Sequence, residues 1–321
     1  MNIPLLIVIL YVLLLFGISI YVSYSQKKDS ENFLLYKGKN NAFVVAASIA
    51  GLAIGGASTI GIAENAFTVG LSAGWYDTAW AIGAVVSSML AVRYLRRSQY
   101  TTISGLVRDL YGTKTSLIMV IAMCIIQSGI IALQYKAGGS ILASLLPDAE
   151  ASVALPMILM SIPPVLGGIT LSGLWAADMG TGCSMIIGLA TTVSTDIIGK
   201  IPGVSLNDRQ KHILNKVIVV LSSLVTYLIA TQMGAILSAM QKALSLAIGT
   251  SFIVIGGLLC PKFSSRKAGF WTIMASIVSI VAWNMVPALV PVFKNVGFFM
   301  LAVCGAVFIL ISLVDPEKVK Q

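Results

Sequence analysis

The amino-acid sequence predicts an all-α fold: a polytopic bundle of transmembrane helices. Three observations carry that expectation. Of 321 residues, 57% are hydrophobic and only 10% are charged, whereas soluble domains carry about 25% charged residues. Apolar runs of about 18 residues or more recur along the whole chain, which is the pattern of bilayer-spanning helices. These runs do not alternate apolar with polar in segments of about ten residues, as a transmembrane β-barrel would. Backbone groups in hydrocarbon must be satisfied internally, so each run is read as helix.

Nine spans are expected in order. The first, about Ile3–Tyr24, is too long for a signal peptide and has no basic start, so it reads as an uncleaved span. Further spans follow at about Ala42–Ala63, Ser72–Tyr94, Thr115–Leu146 and Pro164–Ile198. The last four are about Ile213–Met240, Ala243–Leu259, Ala268–Val286 and Val296–Val314. The segment Ala154–Ile162 reads as a separate interfacial helix ahead of Pro163-Pro164. The two longest runs call for tilt or for projection beyond the bilayer.

The net charge of +9 is a matter of topology. Eighteen of the 21 Lys and Arg fall in one set of loops and the C-terminal tail, Lys242 and Lys294 fall on the other side, and Lys136 lies within a span. By the positive-inside rule the N-terminus is outside and the C-terminus cytoplasmic, in the plasma membrane. Nucleic acid is not an expected partner. The four cysteines are scattered singly in apolar segments and form no CxxC pair, so neither a zinc site nor a redox motif is expected. The single histidine, His212, sits in a basic loop; no serine triad, HExxH or P-loop is present, and no enzyme or cofactor is expected.

Three features depart from a plain lipid-facing bundle. The stretch Ser48–Gly61 holds four glycines and three hydroxyl residues inside a span. Such a cluster serves tight packing or an unwound stretch whose carbonyls coordinate a cation. Asp178, in Ala176–Ser184, is costly in hydrocarbon and should face the bundle interior, as a polar anchor or as a contact for coupling ion or substrate. Thr181 shares its helix face. The isolated charges are Asp77, after the interfacial pair Trp75-Tyr76, and Lys136, about 15 Å inward of Leu146 along a helix. Lys136 needs a carboxylate, a carbonyl or water; pairing with Asp178 or Asp77 is the expectation.

At these residues the chain resembles the sodium:solute symporter family, which includes sodium/proline and sodium/galactose transporters. The resemblance is carried by Asn32-Phe-Leu-Leu-Tyr-Lys-Gly-Lys39, the Gly/Ser-rich helix, Val69-Gly-Leu-Ser-Ala-Gly-Trp-Tyr-Asp77 and Tyr100-Thr-Thr-Ile-Ser-Gly-Leu106. It continues in Leu171–Thr181 through Thr195-Asp-Ile-Ile198, which is similar to the family's eighth core helix. It implies a leucine-transporter-like fold of inverted repeats in one transmembrane domain over 1–321. Residues 1–148 would hold the first span and core helices one to three, and 154–321 core helix eight onward.

The resemblance also implies a site. Carbonyls of Gly51 and Ile54 on the broken first core helix, with Ala177 and Thr181 on the eighth, would hold sodium. Gly180 stands where members usually have Ser, so Asp178 is added to the ion-binding set and H+ stands beside Na+ as a possible coupling ion. Asp77, Ala57 and Ser58 match substrate-contacting positions, and Lys136 joins them as a candidate; Ala57 has no side-chain hydrogen bond to offer a sugar. Only a short stretch separates Leu146-Pro-Asp148 from the lead-in to the eighth helix at Leu155. Against the family pattern, core helices four to seven are absent. Two functions follow: cation-coupled uptake of a small organic solute, or an internally deleted, transport-incompetent membrane protein of the same ancestry. Partners are the lipid bilayer, the solute and the coupling cation; the oligomeric state is left open.

Overall fold

The computed structural model describes residues 2–25, 41–90, 94, 100, 102–146, 154–201, 207–234 and 236–319. The basic residues Lys27, Lys28, Lys37, Lys39, Arg93, Arg96 and Arg97, the Asn32–Lys39 motif and the junction 147–153 lie outside them.

The described chain is helical. Its helices are α1 (Ile3–Ser25), α2 (Ala42–Ala53), α3 (Ile62–Val69), α4 (Trp75–Leu90), α5 (Ile103–Tyr111), α6 (Thr113–Leu145) and α7 (Ala154–Ser161). They continue as α8 (Pro164–Thr191), α9 (Asp208–Ala230), α10 (Ile236–Ser245), α11 (Ala247–Leu259), α12 (Arg266–Met285), α13 (Leu289–Phe293) and α14 (Val296–Val314). Helix α7 ends just before Pro163-Pro164, so the separate helix expected there is present.

Seven described helices are long and apolar enough to cross a membrane, and eight do if one bent pair counts as a span. The two expected runs 42–63 and 72–94 correspond, as far as Leu90, to that pair, which bends by 58° between Ala53 and Ala57. A second boundary also moves: the run expected over Ile213–Met240 stops at Ala230. Thr231-Gln232 and Gly234 interrupt it, and the next span runs Ile236–Leu259. The chain is an integral, multi-pass membrane protein, and its surface agrees with that solvent. On α1, Leu13 and Phe16 are 61% and 62% exposed, which is favourable only against lipid.

Two compact units divide the chain. One comprises Met1–Thr78, Ile130–Ala190 and Ser205–Leu237. Within it α1 meets α8 at Gly168, where an added Cβ would lie 2.7 Å from Ile7 Cδ1. Asn2 anchors the start of α1 by donating to the Leu145 carbonyl, 2.8 Å away.

The other unit comprises Ala79–Gly129, Thr191–Val204 and Ser238–Gln321. In hydrocarbon, helices associate by close packing of small residues rather than by the hydrophobic effect. Accordingly α11, α12 and α5 meet around Tyr111. Its ring fills the space left by Gly257 and Gly269, and its hydroxyl donates to the Ile253 carbonyl at 2.8 Å. Thr102 caps α5 by accepting from Gly105 N, and its hydroxyl donates to Asp196 Oδ1 at 3.1 Å, an oxygen shared with Lys200 at 3.0 Å. Two motifs read separately in the sequence, Tyr100–Leu106 and Thr195–Ile198, thus meet in one contact. The tail closes on the loop after α11: Val319 N donates to Ser264 O, Arg266 N donates to Glu317 O, and Lys267 pairs with Asp315 at 3.2 Å.

Candidate functional site

The Gly/Ser-rich stretch breaks. Helix α2 ends at Ala53, Ile54 is extended (φ −90°, ψ 97°), and a π-helical turn, Ala57–Gly61, leads into α3. The last carbonyls of a helix have no intrahelical partner and carry the negative end of its dipole. Here they face α8. The Thr181 hydroxyl lies 3.2 Å from the Gly51 carbonyl, 3.1 Å from Leu52, 3.3 Å from Ile54 and 3.4 Å from Ala177 of its own helix. One hydroxyl proton serves one acceptor at a time. Four carbonyl oxygens and one hydroxyl oxygen thus lie close together, a donor set of the kind a small hard cation takes.

The break is seated by glycines. A Cβ on Gly55 would lie 2.6 Å from both Gln134 Nε2 and Thr181 Oγ1. One on Gly56 would lie 2.3 Å from Ala137 Cβ and 2.8 Å from Asp178 Oδ1. Packing and unwinding, which the composition left as alternatives, occur together. The freed backbone is paid back by two side chains: Gly56 N–H donates to Gln134 Oε1 at 3.0 Å, and Gly55 N–H donates to Ser58 Oγ at 3.0 Å. Gln134 is absent from the candidates read from the sequence. Its signal was an amide inside the long apolar run of α6, where an unpaired polar group is expensive.

The structure therefore brings Gly51, Ile54, Ala177, Thr181 and Asp178 into one neighbourhood. The substrate candidates are placed otherwise. Ala57 is buried, Ser58 turns back to cap the break by also donating to the Gly55 carbonyl, and Asp77 is exposed on α4. Lys136 pairs with neither Asp178 nor Asp77; its ammonium donates to the carbonyls of Met233 and Gly234. The reason is local: the interruption between α9 and α10 leaves carbonyls that need donors, and they lie within reach of the lysine stem.

Asp178 is 5% exposed and beside the break. Its Oδ2 would lie 3.1 Å from a Cβ on Gly138, so glycine at that position on α6 makes room for the carboxylate. On this side α6, α8 and α9 enclose a cavity of about 360 Å³ whose lining includes Gln134, Tyr135, Trp175, Asp178, Cys183 and Tyr227.

The family model described as the sodium:solute symporter family matches residues 33–309. No curated protein and no solved structure matches the chain. The match spans most of the chain, including the broken helix and the helix that carries Thr181; the chain belongs to the sodium:solute symporter family, as a membrane transporter of that type.

Proposed function

We propose that the chain couples entry of a cation to uptake of a small organic solute by alternating access. One observation carries the reading: the C-terminal carbonyls of α2 and the Ala177 carbonyl converge on the Thr181 hydroxyl within 3.4 Å. A cation held there ties the broken helix to α8, and its departure releases them, which links ion occupancy to helix position. Na+ is the coupling ion of this reading, held by these carbonyls and the Thr181 hydroxyl, with the Asp178 carboxylate beside the site rather than among its ligands.

The orientation proposed is an external N-terminus and a cytoplasmic C-terminus. Its support is the placement of 18 basic residues. Lys27–Lys39 and Arg93–Arg97 lie on one side only if the chain crosses twice between them. The stretch from Ala42 to Leu90 is long enough for two crossings of a hydrocarbon core about 30 Å thick. Gly70, at φ 67°, is where the chain would turn.

The test is uptake by proteoliposomes carrying the 321-residue chain, with a panel of radiolabelled solutes under an inward sodium gradient. Sodium-stimulated uptake is expected, with Thr181→Val lowering it at least tenfold by removing the hydroxyl ligand. Sodium-stimulated uptake that survives Thr181→Val intact would remove the ion site from this position. No uptake of any solute would favour the transport-incompetent reading, in which the chain lacks the family's core helices four to seven.

A further inference from the structure

We propose that the cavity enclosed by α6, α8 and α9 is a binding site for a small organic ammonium ion with an apolar body, its charge held by the Asp178 carboxylate. The cavity volume of about 360 Å³ is at the small end of ligand pockets, roughly 300–1,000 Å³. Two polar atoms at this cavity are buried and without a hydrogen-bond partner among the described residues, and they are complementary in kind. Asp178 Oδ1 is an acceptor and Trp175 Nε1 is a donor. The two side chains border the space beside Gly138, where an added Cβ would lie 3.1 Å from Asp178 Oδ2 and 4.0 Å from Trp175 Cη2.

Unpartnered polar atoms at such depth are rare in folded proteins and call for a partner. A carboxylate in a membrane interior calls for a counter-charge as well. No described Lys, Arg or His lies within 4.0 Å of Asp178. Lys136, the nearest in sequence on α6, is engaged by the Met233 and Gly234 carbonyls. The remaining walls suit a cation with an apolar body. Tyr135 and Tyr227 stand edge to face with ring centroids 5.9 Å apart, and both line the cavity; aromatic rings attract a desolvated ammonium through their quadrupoles. An N–H of the ligand would donate to Asp178, and a hydroxyl or carbonyl on its body would accept from Trp175.

As an assignment of the transported solute this rests on the transport reading, but binding is measured without transport. Purified chain in nanodiscs, in sodium-free potassium buffer, is dialysed to equilibrium against radiolabelled benzylamine, benzyl alcohol or 2-amino-1-phenylethanol, with empty nanodiscs as background. Benzylamine is expected to bind saturably and at least tenfold more tightly than benzyl alcohol. Asp178→Asn should weaken benzylamine at least tenfold and leave benzyl alcohol unchanged. Trp175→Phe should weaken the amino alcohol more than benzylamine. Gly139→Leu keeps the carboxylate but fills the cavity, because Gly139 lines it and a Cβ there meets nothing within 4 Å; it should abolish benzylamine binding, and it decides the matter if Asp178→Asn fails to fold.

Equal binding of amine and alcohol, or amine binding that survives Gly139→Leu, would overturn the proposal. So would competitive displacement of benzylamine by sodium in the wild type, since Asp178 would then serve the inorganic cation. Asp178-dependent amine binding by a chain that transports nothing would sustain this inference and sink only the transport reading. Sodium-driven uptake without any amine binding would do the reverse.

Discussion

Substituting Gly56 by alanine tests how the broken helix is held. The backbone at Gly56 is ordinary (φ −56°, ψ −31°), so alanine is not strained there and should gain about 0.5–1 kcal/mol from a less free unfolded chain. Space decides against it. The new methyl carbon would lie 2.3 Å from Ala137 Cβ, whereas carbon atoms rest at about 3.5–4.0 Å. Ala137 Cβ is fixed to the α6 backbone, so the break and α6 must separate by more than ~1 Å. Overpacking of this kind costs about 1–3 kcal/mol. Separation also stretches the Gly56–Gln134 hydrogen bond, which contributes about 1 kcal/mol. The net expectation is a loss of about 2 kcal/mol. Gly51→Ala, five residues earlier on α2, is the control. Its Cβ meets nothing within 4 Å, and helix propensity favours alanine by up to about 1 kcal/mol. Unfolding of both variants by SDS titration in mixed micelles, followed by tryptophan fluorescence, gives the comparison. A difference below about 1 kcal/mol would refute the close seating of the break on α6.

Lys136→Met should destabilise the protein by about 2 kcal/mol, because the Met233 and Gly234 carbonyls lose a charged donor; Lys136→Arg should recover part of that. Wild-type stability in Lys136→Met, by the same titration, would show that those carbonyls have another partner. The Asp315 carboxyl feels burial, which raises it, but hydrogen bonds from Lys267 and Ser265 and the Lys267 charge outweigh that and hold it below the usual carboxylate range. A lowered folded value means the contribution is present above the unfolded value of about 3.9 and is lost as pH falls through the folded one. Asp315→Asn should therefore cost stability at pH 7, and the gap to wild type should close below about pH 4. A gap that is the same at pH 3 would show that the Asp315 charge is not its source.

Much of the candidate ion site was legible because its signals are local. Glycines crowded with hydroxyls in a span, and an aspartate three residues before a threonine, are anomalies in hydrocarbon whatever surrounds them. Matching those positions to the family pattern placed Gly51, Ile54, Ala177 and Thr181, which do converge. The substrate candidates were less legible. Ala57 and Ser58 sit one turn beyond the break, and their roles there, burial and capping, depend on which way the chain leaves it. Asp77 lies on an exposed stretch of α4, and nothing local to Trp75-Tyr76-Asp77 encodes what it faces. Gln134 went unread because the helix holds two amides, Gln127 and Gln134, and nothing local tells which one meets a broken backbone; its meaning comes from Gly56, distant in sequence.

The sequence by itself determined that this is a helical membrane protein and where its helices meet polar anomalies, because the bilayer penalises charge and unpaired backbone residue by residue. Tertiary structure alone decided the pairings. Thr181 meets the Gly51, Leu52 and Ile54 carbonyls, Gln134 answers the Gly56 N–H, and Lys136 turns to Met233 and Gly234 instead of a carboxylate. Such choices depend on the ångström-scale approach of helices far apart in the chain, which glycines at 55, 56 and 138 permit but do not aim.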